Sequence, residues 1–145
     1  MKSLFYLFAA LLLLGGCSYK NEAINLSSYN AEYTGEISKE KKTVYIESVK
    51  DMRADKKNIG YILENGEKKV KLFSNENFEK KYQDGLKNAL HMAGFNITKE
   101  AGEAALVMNV NIKKIELIHN DKSFDKNLKG KIELEVIIKK GSETV

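Results

Sequence analysis

Two long stretches in the second half of the chain constrain the fold most, because each repeats with the period of a β-strand. In residues 132–140, "IELEVIIKK", apolar residues alternate with charged ones. In residues 105–118, "ALVMNVNIKKIELI", the same alternation runs to Ile112, slips at Lys113–Lys114 and resumes at Ile115. Period-two alternation predicts strands with one face in a core, and a slip of one residue predicts a β-bulge.

Shorter strand patterns lie earlier in the chain. Residues 43–49, "TVYIESV", predict a first strand, with Ser48 on its apolar face and Val49 on the opposite face. Two apolar segments flank Asn65–Gly66, a dipeptide that tolerates the positive φ of a tight turn, and therefore predict a hairpin. "FNIT", residues 95–98, predicts one more short strand.

Between these strands lies the clearest helical pattern, "SNENFEKKYQDGLKNALHMAGF", residues 74–95. Ser74 or Asn75 is expected to cap its N-terminus. Gly94 is expected to form a left-handed C-cap, with Phe95 folding back onto the apolar stripe. The residues that form this stripe at spacings of three and four are Phe78, Tyr82, Leu86, Ala89, Leu90 and Ala93. The sequence therefore predicts an α+β fold: one amphipathic helix packed on a mainly antiparallel β-sheet.

The 145 residues suffice for one domain. Composition changes along the chain predict three segments: a signal peptide at 1–16, an anchor with a flexible tether at 17–42, and the α+β domain at 43–145. The tether is mostly polar and has no sustained apolar period, which is typical of a linker.

Charge and motif content argue against several classes of function. The net charge is +4, but Arg53 is the single arginine, and the lysines alternate with glutamates along the strands, so no nucleic-acid partner is expected. His91 and His119 have no partner at metal-ligand spacing, so neither a metal nor another cofactor is expected. The chain contains no Gly-x-Ser-x-Gly elbow and no phosphate-binding glycine loop, so it is not expected to be an enzyme.

Asp51 and Arg53 are the best candidates for a specific polar role. Two residues apart on an extended segment, their side chains point the same way. They could pair, or Asp51 could bind nearby amides while Arg53 holds another carboxylate. We favour a role in ordering the loop at the strand end over a role in binding.

The N-terminal segment "MKSLFYLFAALLLLGGC" carries one lysine and then 11 apolar residues from Leu4 to Leu14. A membrane-spanning helix needs about 20 such residues, so this run fits a signal peptide instead. "LGGC" resembles the lipobox of bacterial lipoproteins. That resemblance implies cleavage before Cys17, a diacylglycerol on its thiol and a fatty acid such as palmitate on its new amine. Under the Gram-negative sorting rule, Ser18 then favours the outer membrane.

The segments "VYIESVKDMRAD", "LKNALHMAGFNI", "LVMNVNIKKIEL" and "KIELEVIIKKG" together resemble the YajG-type envelope lipoproteins, from Thr43 to Val145. The shared pattern is a strand ending in Asp-x-Arg, a helix closing in Gly-aromatic, and two long strands. The resemblance implies no established activity. It also implies a further strand and a second amphipathic helix, whereas this sequence ends at "GSETV", directly after a strand. We expect the chain to be a fragment of a longer protein. The alternative is a sheet with one uncovered face, which would invite aggregation or a partner.

Two functions remain open on this basis. The first is a non-catalytic lipoprotein anchored in the outer membrane, facing the periplasm, with a structural or binding role and an envelope protein as its candidate partner. The second is an accessory subunit of an envelope lipid or lipopolysaccharide transport machine, which needs an apolar groove or an exposed strand edge.

Overall fold

The structure is a computed structural model that describes residues 20–26, 32–122 and 125–141. These residues form seven strands, one α-helix and one turn of 3₁₀-helix at Ala101–Glu103. The strands and the helix follow the chain as β1 (Glu22–Ala23), β2 (Thr43–Asp51), β3 (Asn58–Glu64), β4 (Glu67–Phe73), α1 (Phe78–Met92), β5 (Asn96–Ile97), β6 (Leu106–Lys122) and β7 (Asp125–Lys140).

The sheet is organised around β6, the longest strand. One edge of β6 pairs with β7 along its whole length, and the other edge pairs first with β2 and then with β3. Both of the latter pairings are parallel, as are β2–β5 and β1–β4. The two antiparallel hairpins, β3–β4 and β6–β7, contain most of the paired residues. The sheet is therefore mixed but mainly antiparallel.

The helix α1 lies on one face of this sheet, where it packs against β2 and β5. Its apolar residues Tyr82, Leu86 and Leu90 pack against the buried cluster of the sheet. That cluster consists of Val44, Ile46, Val49, Ile59, Leu72, Phe78, Met108, Val110 and Ile112. The α+β architecture predicted from the sequence is thus confirmed.

The register of the sheet shifts at one point in β6–β7 and at one point in β2–β6, and at two more points in the β3–β4 hairpin. The predicted bulge in β6 is confirmed, since the register with β7 shifts between Ile112 and Lys114. A second bulge lies in β2, where the register with β6 shifts between Ile46 and Ser48. The prediction for the end of β2 was therefore wrong: the extra residue turns Val49, not Ser48, toward the core.

The turn and cap positions agree with the sequence at two sites and differ at one. Asn65 and Gly66 have φ values of 52° and 83°, which a tight hairpin turn requires. Gly94 has φ of 89°, and the N–H of Phe95 donates to the carbonyl of Leu90, as expected for the C-cap. The N-cap is Asn77, whose side chain accepts from the N–H of Lys80 at 3.0 Å. Neither Ser74 nor Asn75 holds that position.

Part of the segment assigned to the flexible tether contacts the domain instead. The strand β1 pairs with β4, the N–H of Ile24 donates to the carbonyl of Phe73 at 2.8 Å, and Leu26 packs against the core. The physical reason is that β4 offers an unpaired edge, which a short extended segment with two apolar residues can cover.

Candidate functional site

Asp51 and Arg53, at the end of β2, form a buried ion pair. Nε of Arg53 donates to Oδ1 of Asp51 at 2.9 Å, and Nη2 donates to Oδ2 at 2.7 Å. The side chains are only 6% exposed for Arg53 and 3% exposed for Asp51. A two-point contact of this kind fixes the guanidinium plane and is among the strong charge-assisted hydrogen bonds.

The remaining contacts of Arg53 hold the loop between β2 and β3. Nη1 donates to the carbonyl of Asn58 at 2.7 Å, and Nη2 donates to the carbonyl of Lys56 at 2.6 Å. The guanidinium carbon also lies 4.7 Å from the centre of the Phe78 ring. Because the side chain of Arg53 makes four hydrogen bonds within the domain, its geometry supports the loop-ordering role favoured from the sequence.

The first turn of α1 is hydrogen-bonded to the end of β2. Oε1 of Glu79, in the first turn of α1, accepts the N–H of Asp51 at 2.9 Å and lies 3.3 Å from Nζ of Lys56. These two contacts lower the pKa of Glu79, the backbone hydrogen bond most. The ion pair, the loop and the start of the helix therefore form one connected polar network.

Burial and hydrogen bonding act in opposite directions on Asp51. Burial by itself would raise the pKa of this carboxyl group. The hydrogen bonds that it accepts from the side chain and the backbone N–H of Arg53, together with the charge of Arg53, outweigh burial and hold the pKa below its usual value. Asp51 is therefore a carboxylate near neutral pH and is poorly suited to act as a general acid.

An open depression of about 300 Å³ lies beside this network. Lysines 68, 113 and 114 line it, but each ammonium group has a partner. Nζ of Lys114 lies 2.7 Å from Glu116, Nζ of Lys113 lies 3.1 Å from Glu135, and Nζ of Lys68 lies 4.1 Å above the Tyr61 ring. This pattern is typical of a solvated charged surface.

The most unusual surface is on β7. Cross-strand partners share one face of a sheet, and Ile132, Leu134, Val136 and Ile138 are the β7 partners of core-facing residues of β6. They therefore lie on the same face as α1. The helix does not reach them: they are 42–59% exposed, and Leu128 is 65% exposed. We call Leu128, Ile132, Leu134, Val136 and Ile138 the β7 stripe.

The other residues singled out from the sequence lie apart from one another. Cys17, with the whole signal peptide 1–16, lies outside the described residues. His91 lies exposed in the last turn of α1, and His119 lies in β6 opposite Leu128. Among the described residues, no group of three or more His, Cys, Asp or Glu side chains is placed to hold a metal ion.

Sequence reasoning missed two parts of the polar network. No contact with the end of β2 was expected for Glu79, and Phe78 was assigned only to the apolar stripe. Their contacts with Asp51 and Arg53 join residues more than 20 positions apart. No local pattern encodes such a pairing, and the sole available signal was the position of both residues in the first turn of the helix.

Taken together, the fold defines a small α+β domain with one helix, a buried structural ion pair and a bare apolar stripe on its last long strand. In the part of the chain that the structure describes, no helix is long and apolar enough to cross a bilayer. A family model described as uncharacterized lipoprotein matches residues 32–145, and the chain belongs to this lipoprotein family. This membership agrees with the resemblance to YajG-type lipoproteins. No curated protein and no solved structure gives a significant match.

Proposed function

We propose that this protein is a non-catalytic lipoprotein, anchored in the outer membrane through Cys17, that faces the periplasm and serves a structural or binding role in the cell envelope. The β7 stripe is the observation that supports a binding role. A contiguous run of exposed large apolar residues on one face of a folded domain is typical of an interaction surface.

The polar groups support a role without catalysis. The strongest candidate pair, Asp51 and Arg53, is buried, and its hydrogen bonds serve the β2–β3 loop. A general acid or base has to reach its substrate within hydrogen-bonding distance. The geometry of this pair instead stabilises the domain that the anchor carries.

The anchor part rests on the lipobox and on family membership. One acyl chain gives only marginal membrane binding, whereas two or more make the attachment stable. A lipid-modified Cys17 would therefore hold the domain at the membrane without any spanning helix.

Radioactive palmitate labelling combined with separation of inner and outer membranes tests this proposal. We expect the native chain to carry label and to sediment with the outer membrane. A Cys17→Ser variant should lose the label. A Ser18→Asp variant should keep the label and move to the inner membrane, whereas Ser18→Ala, the matched control, should stay in the outer membrane. A native chain without label, or one found in the inner membrane, would contradict the proposal.

A second candidate is an accessory subunit of a lipid or lipopolysaccharide transport machine, because β7 also offers the exposed strand edge that such a role needs. Native mass spectrometry of the detergent-extracted protein separates the two. Bound phospholipid that survives transfer to the gas phase favours transport, and a lipid-free domain favours the structural role.

A further inference from the structure

Residues 20–26, which we call the strap, are bound to the β4 edge of the sheet. The N–H of Lys71 donates to Oδ1 of Asn21 at 3.3 Å, and the N–H of Ile24 donates to the carbonyl of Phe73 at 2.8 Å. The side chain of Ile24 is also half-buried against the core. The strap is therefore part of the folded domain, whereas a free linker would let the domain move away from its anchor.

The chain also contacts the domain beyond β1. Nζ of Lys81, in α1, donates to the carbonyl of Leu26. Farther along, the N–H of Ser38 donates to the carbonyl of Ala93 at 2.8 Å. A free linker from Cys17 to β2 would span about 25–30 Å on average and could extend much farther. These contacts remove most of that freedom.

The strap leaves only a short lead between the anchor and the domain. Three residues, 18–20, separate Cys17 from Asn21. Consecutive Cα atoms are 3.8 Å apart, so Cys17 lies at most about 15 Å from Asn21, whatever conformation the lead takes. A diacylglycerol on Cys17 would place that residue at the membrane surface, and Asn21 would then lie within this distance of it.

The pairing of β1 with β4 fixes the direction from which the chain arrives. The two strands are parallel, and Glu22 lies opposite Leu72. Since β4 begins at Glu67, directly after the Asn65–Gly66 turn, the chain that enters β1 comes from the side of this turn. The anchor and the turn therefore lie toward the same end of the sheet.

The two ends of the sheet lie at different distances from the strap. The turn is five residues before Lys71, the partner of Asn21, which corresponds to about 17 Å at the rise of a strand. The turn thus reaches about as far as Cys17 can. In the other direction, Lys71 aligns through β3 with Ile118 of β6. From there β6 runs back to Leu106 over about 40 Å, so the opposite end is far from the anchor.

We propose that the turn end of the β3–β4 hairpin is the membrane-facing surface of this protein, and that the strap and the short lead hold it against the lipid headgroups. This inference rests on the proposed lipid anchor at Cys17. The turn residues Asn65 and Gly66 are exposed, and a polar turn suits a hydrated headgroup layer. The strands β4, β3 and β6 lie between the strap and β7, so the placement does not depend on what pairs with β7.

Chain length, and not charge, sets this contact. Lys68 and Lys69 lie next to the turn, but Glu64 and Glu67 flank it as well, and Nζ of Lys69 lies 2.7 Å from Oε2 of Glu67. Anionic lipids attract clusters of basic residues, whereas this turn carries both signs of charge. We therefore expect the contact to persist at high salt and in vesicles without anionic lipid.

Quenching of a dye by spin-labelled headgroups tests the inference on the full lipid-modified chain in phosphatidylcholine vesicles. The matched reporters are Glu67→Cys, beside the turn, and Glu100→Cys, beside the 3₁₀-helix. Both positions are exposed, and they lie on the order of 40 Å apart along the sheet. A maleimide dye reacts with the added cysteine alone, because the thiol of Cys17 is acylated.

We expect the dye at position 67 to lose most of its fluorescence and the dye at position 100 to lose little, at low and at high salt alike. Equal quenching at the two positions, or none at position 67, would overturn the inference. Quenching that disappears at high salt would also overturn it, because charge would then set the contact.

Two changes test whether the strap and the lead hold this position. Insertion of about 15 Gly and Ser residues between Tyr19 and Lys20 adds about 20 Å of average reach and leaves the domain unchanged, so the dye at position 67 should recover most of its fluorescence. Ile24→Asp should release the strap with the same result, and circular dichroism checks that the domain stays folded. Ala23→Asp is the matched control, since it adds the same charge at an exposed neighbour, and should leave the quenching unchanged. Quenching that survives the insertion would overturn the inference, because the surface would then bind lipid by itself.

Palmitate labelling of Cys17 is read on the same preparations. A native chain without label contradicts the proposed anchor. A labelled chain whose two reporters are equally quenched contradicts only the membrane-facing surface, so the two failures are distinguishable.

Discussion

Replacing Asp51 by Asn should destabilise the domain strongly. The change keeps the shape of the side chain but leaves the Arg53 cation buried, at 6% exposure, without a counter-charge. Removing one partner of a buried ion pair costs about 3–5 kcal/mol. Arg53 keeps its contacts with the carbonyls of Lys56 and Asn58 and with the Phe78 ring, so we expect a loss near 3 kcal/mol at the lower end of that range.

Urea unfolding followed by circular dichroism measures this loss. With a slope of about 1–3 kcal/mol per molar urea, the midpoint should fall by about 1 M or more. The matched control is Asp84→Asn, the same chemical change in the Lys80–Asp84 pair, which is 71% and 52% exposed. That change should lower the midpoint only slightly, because solvent screens an exposed pair.

A third variant tests whether the unpaired buried cation causes the loss of stability. Asp51→Asn combined with Arg53→Met should recover part of the stability, because the unpaired cation is gone. The reasoning is refuted if Asp51→Asn costs no more than Asp84→Asn.

The same pair predicts a pH dependence. The pKa of Asp51 is lower in the folded state than in the unfolded chain, so the unfolded state binds more protons in the range between the two values. Stability from this group is therefore complete above the unfolded value of about 3.9 and is lost as pH falls through the lower folded value. In acid titrations of the unfolding midpoint, Asp51→Asn should show a shallower decline below about pH 4 than the native protein.

Two further substitutions test the packing and capping of the fold. Gly60→Ala should cost about 1–3 kcal/mol, because a Cβ there would collide with the carbonyl oxygen of Leu117. Gly102→Ala is the control and should cost far less, since a Cβ at that position meets nothing within 4 Å. Urea unfolding midpoints measure both changes, and equal costs would contradict the close approach of β3 to β6. Asn77→Ala should remove the cap that accepts the N–H of Lys80 and cost about 1 kcal/mol; an unchanged thermal midpoint would show that the cap adds no stability.

Much of the fold follows from local pattern. The alternation in β6 and β7, the slip at Lys113–Lys114 and the Asn65–Gly66 turn each depend on residues a few positions apart, and the structure has all of them. The C-terminal cap at Gly94 is equally local. These features were predictable because side-chain period and backbone φ are properties of short segments.

What the sequence left undetermined depends on contacts between distant residues. The bulge in β2 that turns Val49 inward shows in the register with β6, and β1 pairs with a strand about 50 residues further along the chain. The Asp51–Arg53 pairing was one of two alternatives open from the spacing, whereas its link to Glu79 required the position of α1. Strand partners and helix placement come from the packing of the whole core.

The lipid anchor at Cys17 is the central claim, and intact-mass spectrometry of the protein extracted from membranes tests it most directly. We expect a mature chain that begins at Cys17 and carries the added mass of a diacylglyceryl group and an amide-linked fatty acid. A chain that retains residues 1–16, or one that begins elsewhere with an unmodified thiol, would contradict the claim.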